Sequence, residues 1–155
     1  MKLVRRVAIL VAVLGLVALV LGGVFIGEGV AKNNLIVDRM KVEKVTLALD
    51  PNNPGVSTQI NNASDAQKAA DTIASHRRSI APTYQDLLGT GKFDPTNPKD
   101  LTYAQAMNLE NYLYMAVTAF GLIQVTMANG VFMVITGIAL GGTGLALYRI
   151  GRSQS

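Results

Sequence analysis

The sequence predicts a mainly α, integral membrane fold, a two-helix transmembrane hairpin with a small, mostly helical extracytoplasmic domain and one short strand. Three observations predict it. Residues 7–27 and 111–148 carry no charged side chain. Every acidic residue, from Glu28 to Glu110, lies between those stretches. Outside them the ends are purely cationic, with Lys2, Arg5 and Arg6 before and Arg149 and Arg152 after. Such flanks place both termini in the cytoplasm by the positive-inside bias. The expected layout is therefore a basic cytoplasmic N-terminus (1–6), a first span (7–27), an extracytoplasmic domain (28–128), a second span (129–148) and a cytoplasmic C-terminus (149–155) in the inner membrane.

The formal charge of +4 does not mark a nucleic-acid binder. Once the five cationic end residues are set aside, nine basic residues face ten acids in the middle of the chain, leaving no basic patch. Cysteine is absent, which removes disulfides, thiolate metal sites and a cysteine nucleophile. The extracytoplasmic domain must hold itself together by packing.

Residues 7–27 form about 31 Å of helix, enough for a hydrocarbon core of about 30 Å. The basic start and Gly29-Val30-Ala31 resemble a cleavable signal. The apolar run exceeds the roughly 7–15 residues of a signal-peptide core, so the segment reads as an uncleaved anchor. The stretch 111–148 would be about 57 Å long as one helix, too long for one bilayer. Counting about 20 residues back from Tyr148-Arg149 sets the outer boundary near Asn129. A helix starting near Thr102, with Gln105 completing a capping box, then runs through that boundary to Tyr148. A competing layout of two short spans, 112–128 and 130–148 with Asn129-Gly130 as the turn, would put Arg149 and Arg152 outside, against the charge bias.

In the loop, the alternation of KVEKVTLALD predicts a strand over 41–50, and 51–62 reads as a turn-rich connection. Ser64 precedes Gln67 at capping-box spacing. Ala66, Ala69, Ala70 and Ile73 make an apolar stripe on a helix from Asp65 to about Arg78. Pro82 opens a second short helix through Leu88 that Gly89 or Gly91 ends. Residues 94–100, with two prolines, form a turn into the long helix.

Small residues at Ala8, Ala12, Gly15 and Gly22, with Gly23 and Gly27 adding a GxxxG, mark a packing face on the first span. Gly137, Gly141 and Gly144 mark one on the second. Small residues let helix backbones approach closely in lipid, so replacing Gly141 by Leu is expected to disrupt packing. Tyr112, Leu113, Val117, Phe120 and Ile123 make the outer half of the second helix apolar, and they form the candidate partner surface. Three covers fit it: the loop domain, an extension of the first helix, or another chain.

His76 is the sole histidine. With Arg77 and Arg78 it complements a helix C-terminus. Asp86, Asp94 and Asp100 read as turn and cap residues, and Tyr84, Tyr103, Tyr112 and Tyr114 as packing tyrosines. No residue is assigned as catalytic, cofactor-binding or metal-binding, because phosphate-loop, dinucleotide, GxSxG and HExxH patterns are absent from the sequence.

The MKLVRR start before a Gly/Ala/Val-rich span, Leu101-Thr102-Tyr103-Ala104-Gln105 after the loop, and the uncharged segment ending at Tyr148-Arg149 resemble a group of small bacterial two-span membrane proteins. That group carries the label aromatic ring-opening dioxygenase. The resemblance implies the layout. No catalytic residue carries over, since a non-haem iron site needs two histidines and a carboxylate and only His76 is present. The expected function is non-catalytic, a structural or protein-interaction component of the cell envelope. Its expected partners are membrane lipid and either a second copy or another membrane protein. The alternative is an oligomeric solute or ion pathway lined by Thr126, Asn129, Thr136 and Thr143.

Overall fold

A computed structural model describes residues 2–48 and 57–153. The chain is mainly helical, in the order α1 (Lys2–Val42), β1 (Thr46–Ala48), β2 (Ser57–Gln59), α2 (Ala63–Ile80), α3 (Tyr84–Leu88) and α4 (Pro98–Ser153). It divides into two compact units. The first joins Met1–Asn33 to Leu122–Ser155, and the second is Asn34–Gly121.

α1 and α4 are both long and apolar enough to cross a membrane. Their 41 and 56 residues correspond to roughly 62 and 84 Å of helix. Only 11% of the most apolar window of α1, and 17% of that of α4, is buried. A core helix of a water-soluble domain would be mostly covered, so these two helices present their apolar side chains outward.

α1 outruns the expected span because its stop signal lies at Lys44. There the backbone enters the left-handed region at φ 52°. The Val45 N–H reaches back to the Met40 carbonyl at 2.9 Å and the Lys44 N–H to that of Lys41 at 3.0 Å. These two bonds are the pair of a Schellman cap, and Met40 and Val45 both pack on the core of the second unit. The strand expected over 41–50 is corrected accordingly. Residues 41 and 42 are helical, and the strand is Thr46–Ala48, paired antiparallel with Ser57–Gln59. That partner strand falls within the stretch expected to be turns. Residues 49 and 50 of the expected strand and 51–56 of the expected turn lie outside the described residues.

Caps differ from expectation in a consistent direction. Asn62, not Ser64, caps α2, accepting from the Asp65 N–H at 3.0 Å, while Asp65 Oδ2 accepts from Asn61 N–H at 3.2 Å. α4 starts at Pro98 rather than near Thr102. Asn97 Oδ1 accepts from the Lys99 N–H at 2.9 Å, and proline fits the first turn because it has no N–H to satisfy. The Thr102 hydroxyl instead donates to the Pro98 carbonyl at 2.7 Å. α3 carries a capping box between Thr83 and Asp86 and ends at Gly89, φ 55°. Asp94 accepts from the Thr96 N–H at 2.8 Å, and Asp100 from the Asp94 N–H at 3.0 Å. All three aspartates thus have turn or cap partners.

The core of the second unit is built on the alanine stripe of α2. Ala66, Ala69 and Ala70 are buried with Leu113, Ala116 and Phe120 of α4, Val37 of α1 and Ile60, and Ile73 packs at the margin. Small side chains on α2 let the larger residues of α4 seat against its backbone.

Candidate functional site

In the first unit α1 and α4 pack antiparallel along a seam of small residues with a period of seven. Ala8, Gly15, Gly22 and Gly29 occupy it on α1, and Gly130, Gly137, Gly144 and Gly151 on α4. A Cβ added to Gly15 would sit 2.6 Å from the Gly141 nitrogen. One on Gly137 would sit 2.7 Å from the Gly15 oxygen, and one on Gly22 2.7 Å from the Gly130 oxygen. On Gly144 it would meet the Ala12 nitrogen at 2.7 Å, whereas at Gly151 the nearest atom is an ordinary 3.6 Å away. The backbones therefore touch from about residue 12 to residue 26 of α1, and Gly29 lies instead under the Met127 side chain. A seven-residue repeat keeps one seam facing its partner only if the helices wind gently left-handed about each other.

Of the packing residues expected, Ala8, Ala12, Gly15, Gly22, Gly137 and Gly144 lie on this seam. Gly141 also lies at this contact, its backbone under Gly15, but a side chain there would meet nothing within 4 Å, so the disruption expected of Gly141→Leu is corrected. Gly23 and Gly27 also face open space. Gly29, Gly130 and Gly151 were missed, although the seven-residue spacing was visible in the sequence. Gly130 sits inside continuous helix, so the turn required by the competing three-span layout does not form at Asn129-Gly130.

Thr126, Asn129, Thr136 and Thr143 all lie on α4 in this unit. The Thr126 hydroxyl donates to the Leu122 carbonyl at 2.9 Å and that of Thr143 to Ala139 at 2.8 Å, each within its own helix. Asn129 is exposed and Thr136 half-buried. At the terminal end of the hairpin, the Arg5 guanidinium lies 5.3 Å from the Tyr148 ring centre and donates to its hydroxyl at 3.1 Å.

In the second unit, one polar cluster is built into the packing. Arg77 Nε donates to Glu110 Oε2 at 2.7 Å, with the two side chains only 12% and 11% exposed. The same guanidinium lies over the Tyr103 ring at 5.0 Å and donates to its hydroxyl. The hydrogen bond to Glu110 raises the Arg77 pKa above its ordinary value, against an opposing effect of burial. Tyr103 is fully buried and faces Tyr84 at 6.3 Å. The Tyr114 hydroxyl donates to Asp71 at 3.1 Å, a bond that raises its pKa. Sequence reasoning grouped Arg77 with His76 as helix-end cations. The Arg77–Glu110 pairing is visible only once α2 lies on α4, 33 residues apart in the chain. Chemically the cluster is a closed clamp in which cation, anion and ring satisfy one another. Among the described residues no group of three or more His, Asp or Glu side chains is placed to hold a metal.

The expected partner surface is divided by the fold. Leu113 and Phe120 are 2% and 1% exposed, taken up by the chain's own α2 and by Val37 of α1. Val117 packs at the margin of that core, and Ile123 is buried in the first unit. Of the five residues, only Tyr112 remains on the surface, 67% exposed, one helical step from Leu109 and from Met115, which is 66% exposed. No protein-family model, curated protein or solved structure matches the chain.

Proposed function

We propose that the chain is a non-catalytic component of a bacterial cell envelope, anchored in the cytoplasmic membrane by the α1/α4 hairpin with both termini cytoplasmic. Residues 34–121 form an extracytoplasmic domain that docks onto a second copy or onto another membrane protein. The observation that carries this reading is the pair Tyr112 and Met115, with Leu109 half-exposed beside them. They stay on the surface, about a quarter turn or more around α4 from Leu113, Ala116 and Phe120, which are covered internally. Large apolar side chains grouped on a polar domain mark interaction surfaces more often than isolated ones do. The outward apolar faces of both long helices support the membrane anchor.

The proposal is tested by placing a photo-crosslinking residue at Tyr112, Met115 or, as interior control, Leu113 in cells. Adducts at 112 and 115 but not at 113 are expected, and their mass distinguishes a second copy from a different protein. A monomer in mild detergent with no adduct at 112 or 115 would end this reading.

A further inference from the structure

The seam leaves a groove beside it near the chain termini. Ala8, Ala12, Leu16, Gly144, Leu145 and Tyr148 are among its lining residues, its volume is about 360 Å³, and its walls are almost wholly apolar. The groove exists because small residues stand where larger ones would fill the space between the helices. Its upper edge is Tyr148, held by Arg5 through both ring face and hydroxyl. A guanidinium has five N–H donors, and the bond to Tyr148 uses one, leaving the others directed around an exposed head. No Asp or Glu occurs in residues 1–27 or 111–155.

Resting on the membrane reading proposed above, we infer that this groove is a binding site for one anionic phospholipid of the cytoplasmic leaflet. An acyl chain lies along Ala8, Ala12 and Gly144, and the phosphate is met by Arg5 as positioned by Tyr148. The occupant follows from the chemistry of the two ends. An apolar trough continuous with the outward apolar face of the hairpin takes hydrocarbon, and a cation at its mouth takes a phosphate ester, the group a polybasic membrane edge attracts. Arginine matches phosphate through paired N–H donors, which lysine cannot do. A second hairpin seated in the same trough would bring its own cationic end against this one.

The chain contains no tryptophan, so a single introduced indole reports one position. Leu145→Trp places it on the groove wall. Leu10→Trp places it on an exposed position of α1 that does not line the groove. Both are reconstituted in phosphatidylcholine vesicles containing a fixed fraction of lipid with brominated acyl chains, carried by either phosphatidylglycerol or phosphatidylcholine. Brominated phosphatidylglycerol is expected to quench the Leu145→Trp protein at least twofold more than brominated phosphatidylcholine does. The two lipids should act equally on Leu10→Trp, and Arg5→Gln should abolish the difference at 145. Equal quenching by both lipids at 145, or a preference that survives Arg5→Gln or recurs at Leu10, overturns the site. Weak quenching at 145 with strong quenching at 10 would mean that another chain covers the groove and also overturns it. Failure of both lipids to quench either indole removes the membrane reading itself.

Discussion

Arg77 and Glu110 show how one pair can fix the way two helices meet. Each side chain is nearly nine-tenths covered, so removing either partner leaves a charge with little water and no counter-ion. Glu110→Ala is expected to destabilise the second unit by roughly 3–5 kcal/mol, and Arg77→Met by a similar amount. The double variant Arg77→Met/Glu110→Leu should lose clearly less than the sum, because no orphan charge remains. Thermal unfolding of the three proteins, followed by circular dichroism in one detergent, measures this, and strict additivity would contradict it. Asp94 gives a pH signature of the opposite kind at the surface. The Thr96 hydroxyl, and then the Thr96 N–H, hold its carboxyl below the usual aspartate range. A depressed folded pKa means that its contribution is present above about pH 3.9 and fades as the pH falls through the folded value. Protection of the Thr96 amide hydrogen, taken relative to its intrinsic exchange rate at each pH, should therefore fall in acid. With Asp94→Asn it should show no such acid step.

At the scale of the helix, the seam and the caps carry the most direct tests. Gly137→Leu drives a branched side chain into the Gly15 and Leu19 backbone, which cannot move aside as a side chain can. The expected loss is at the upper end of the roughly 1–3 kcal/mol typical of overpacking, or beyond it. Gly141→Leu should be tolerated, because nothing lies within 4 Å. Comparing the melting of the two variants decides between this seam and one running through Gly141. At the end of α1, Lys44 holds a left-handed conformation that costs a side-chain-bearing residue about 1–2 kcal/mol, so Lys44→Gly should raise stability slightly. These two elements also show what the sequence could and could not reveal. The small residues of the spans were legible, but their phase was not. Gly137-x-x-x-Gly141 reads as one face, and both backbones do meet α1, but a side chain would strike it from Gly130, Gly137 or Gly144 and not from Gly141. The alternation in KVEKVTLALD was real, yet its first residues finish α1, because helix propagation and a Schellman cap outcompete a short edge strand. Capping-box spacings at Ser64 and Thr102 were outcompeted by asparagines just upstream, since Asn ranks with the best caps. The surplus length of α4 was legible too. What covers Leu113 and Phe120 was not, because it depends on bringing α2 and the end of α1 onto α4 across dozens of residues of chain.

For the whole molecule, the continuity of α4 and the antiparallel seam bear on the topology proposed above. α1 and α4 are each one unbroken helix through the apolar stretch. On the membrane reading proposed above, two antiparallel helices that each cross once would return the chain to the side from which it started. Lys2, Arg5 and Arg6 at one end and Arg149 and Arg152 at the other would then share one membrane face, the cytoplasmic one under the positive-inside bias. A third span would need a break near Asn129-Gly130, where Gly130 lies against the Ile26 nitrogen and the Gly22 oxygen within the helix pair. A phosphatase that is active only outside the cytoplasm should therefore be silent when fused after Ser153 and active when inserted in the turn between α3 and α4. Activity after Ser153 would refute the two-span arrangement. Replacing Arg149 and Arg152 by Glu tests the cause. If positive charge holds that end inside, the fusion after Ser153 should gain activity in part of the population. If the glycine seam alone commits the orientation, it should stay silent, and the hairpin would then insert as a preformed pair.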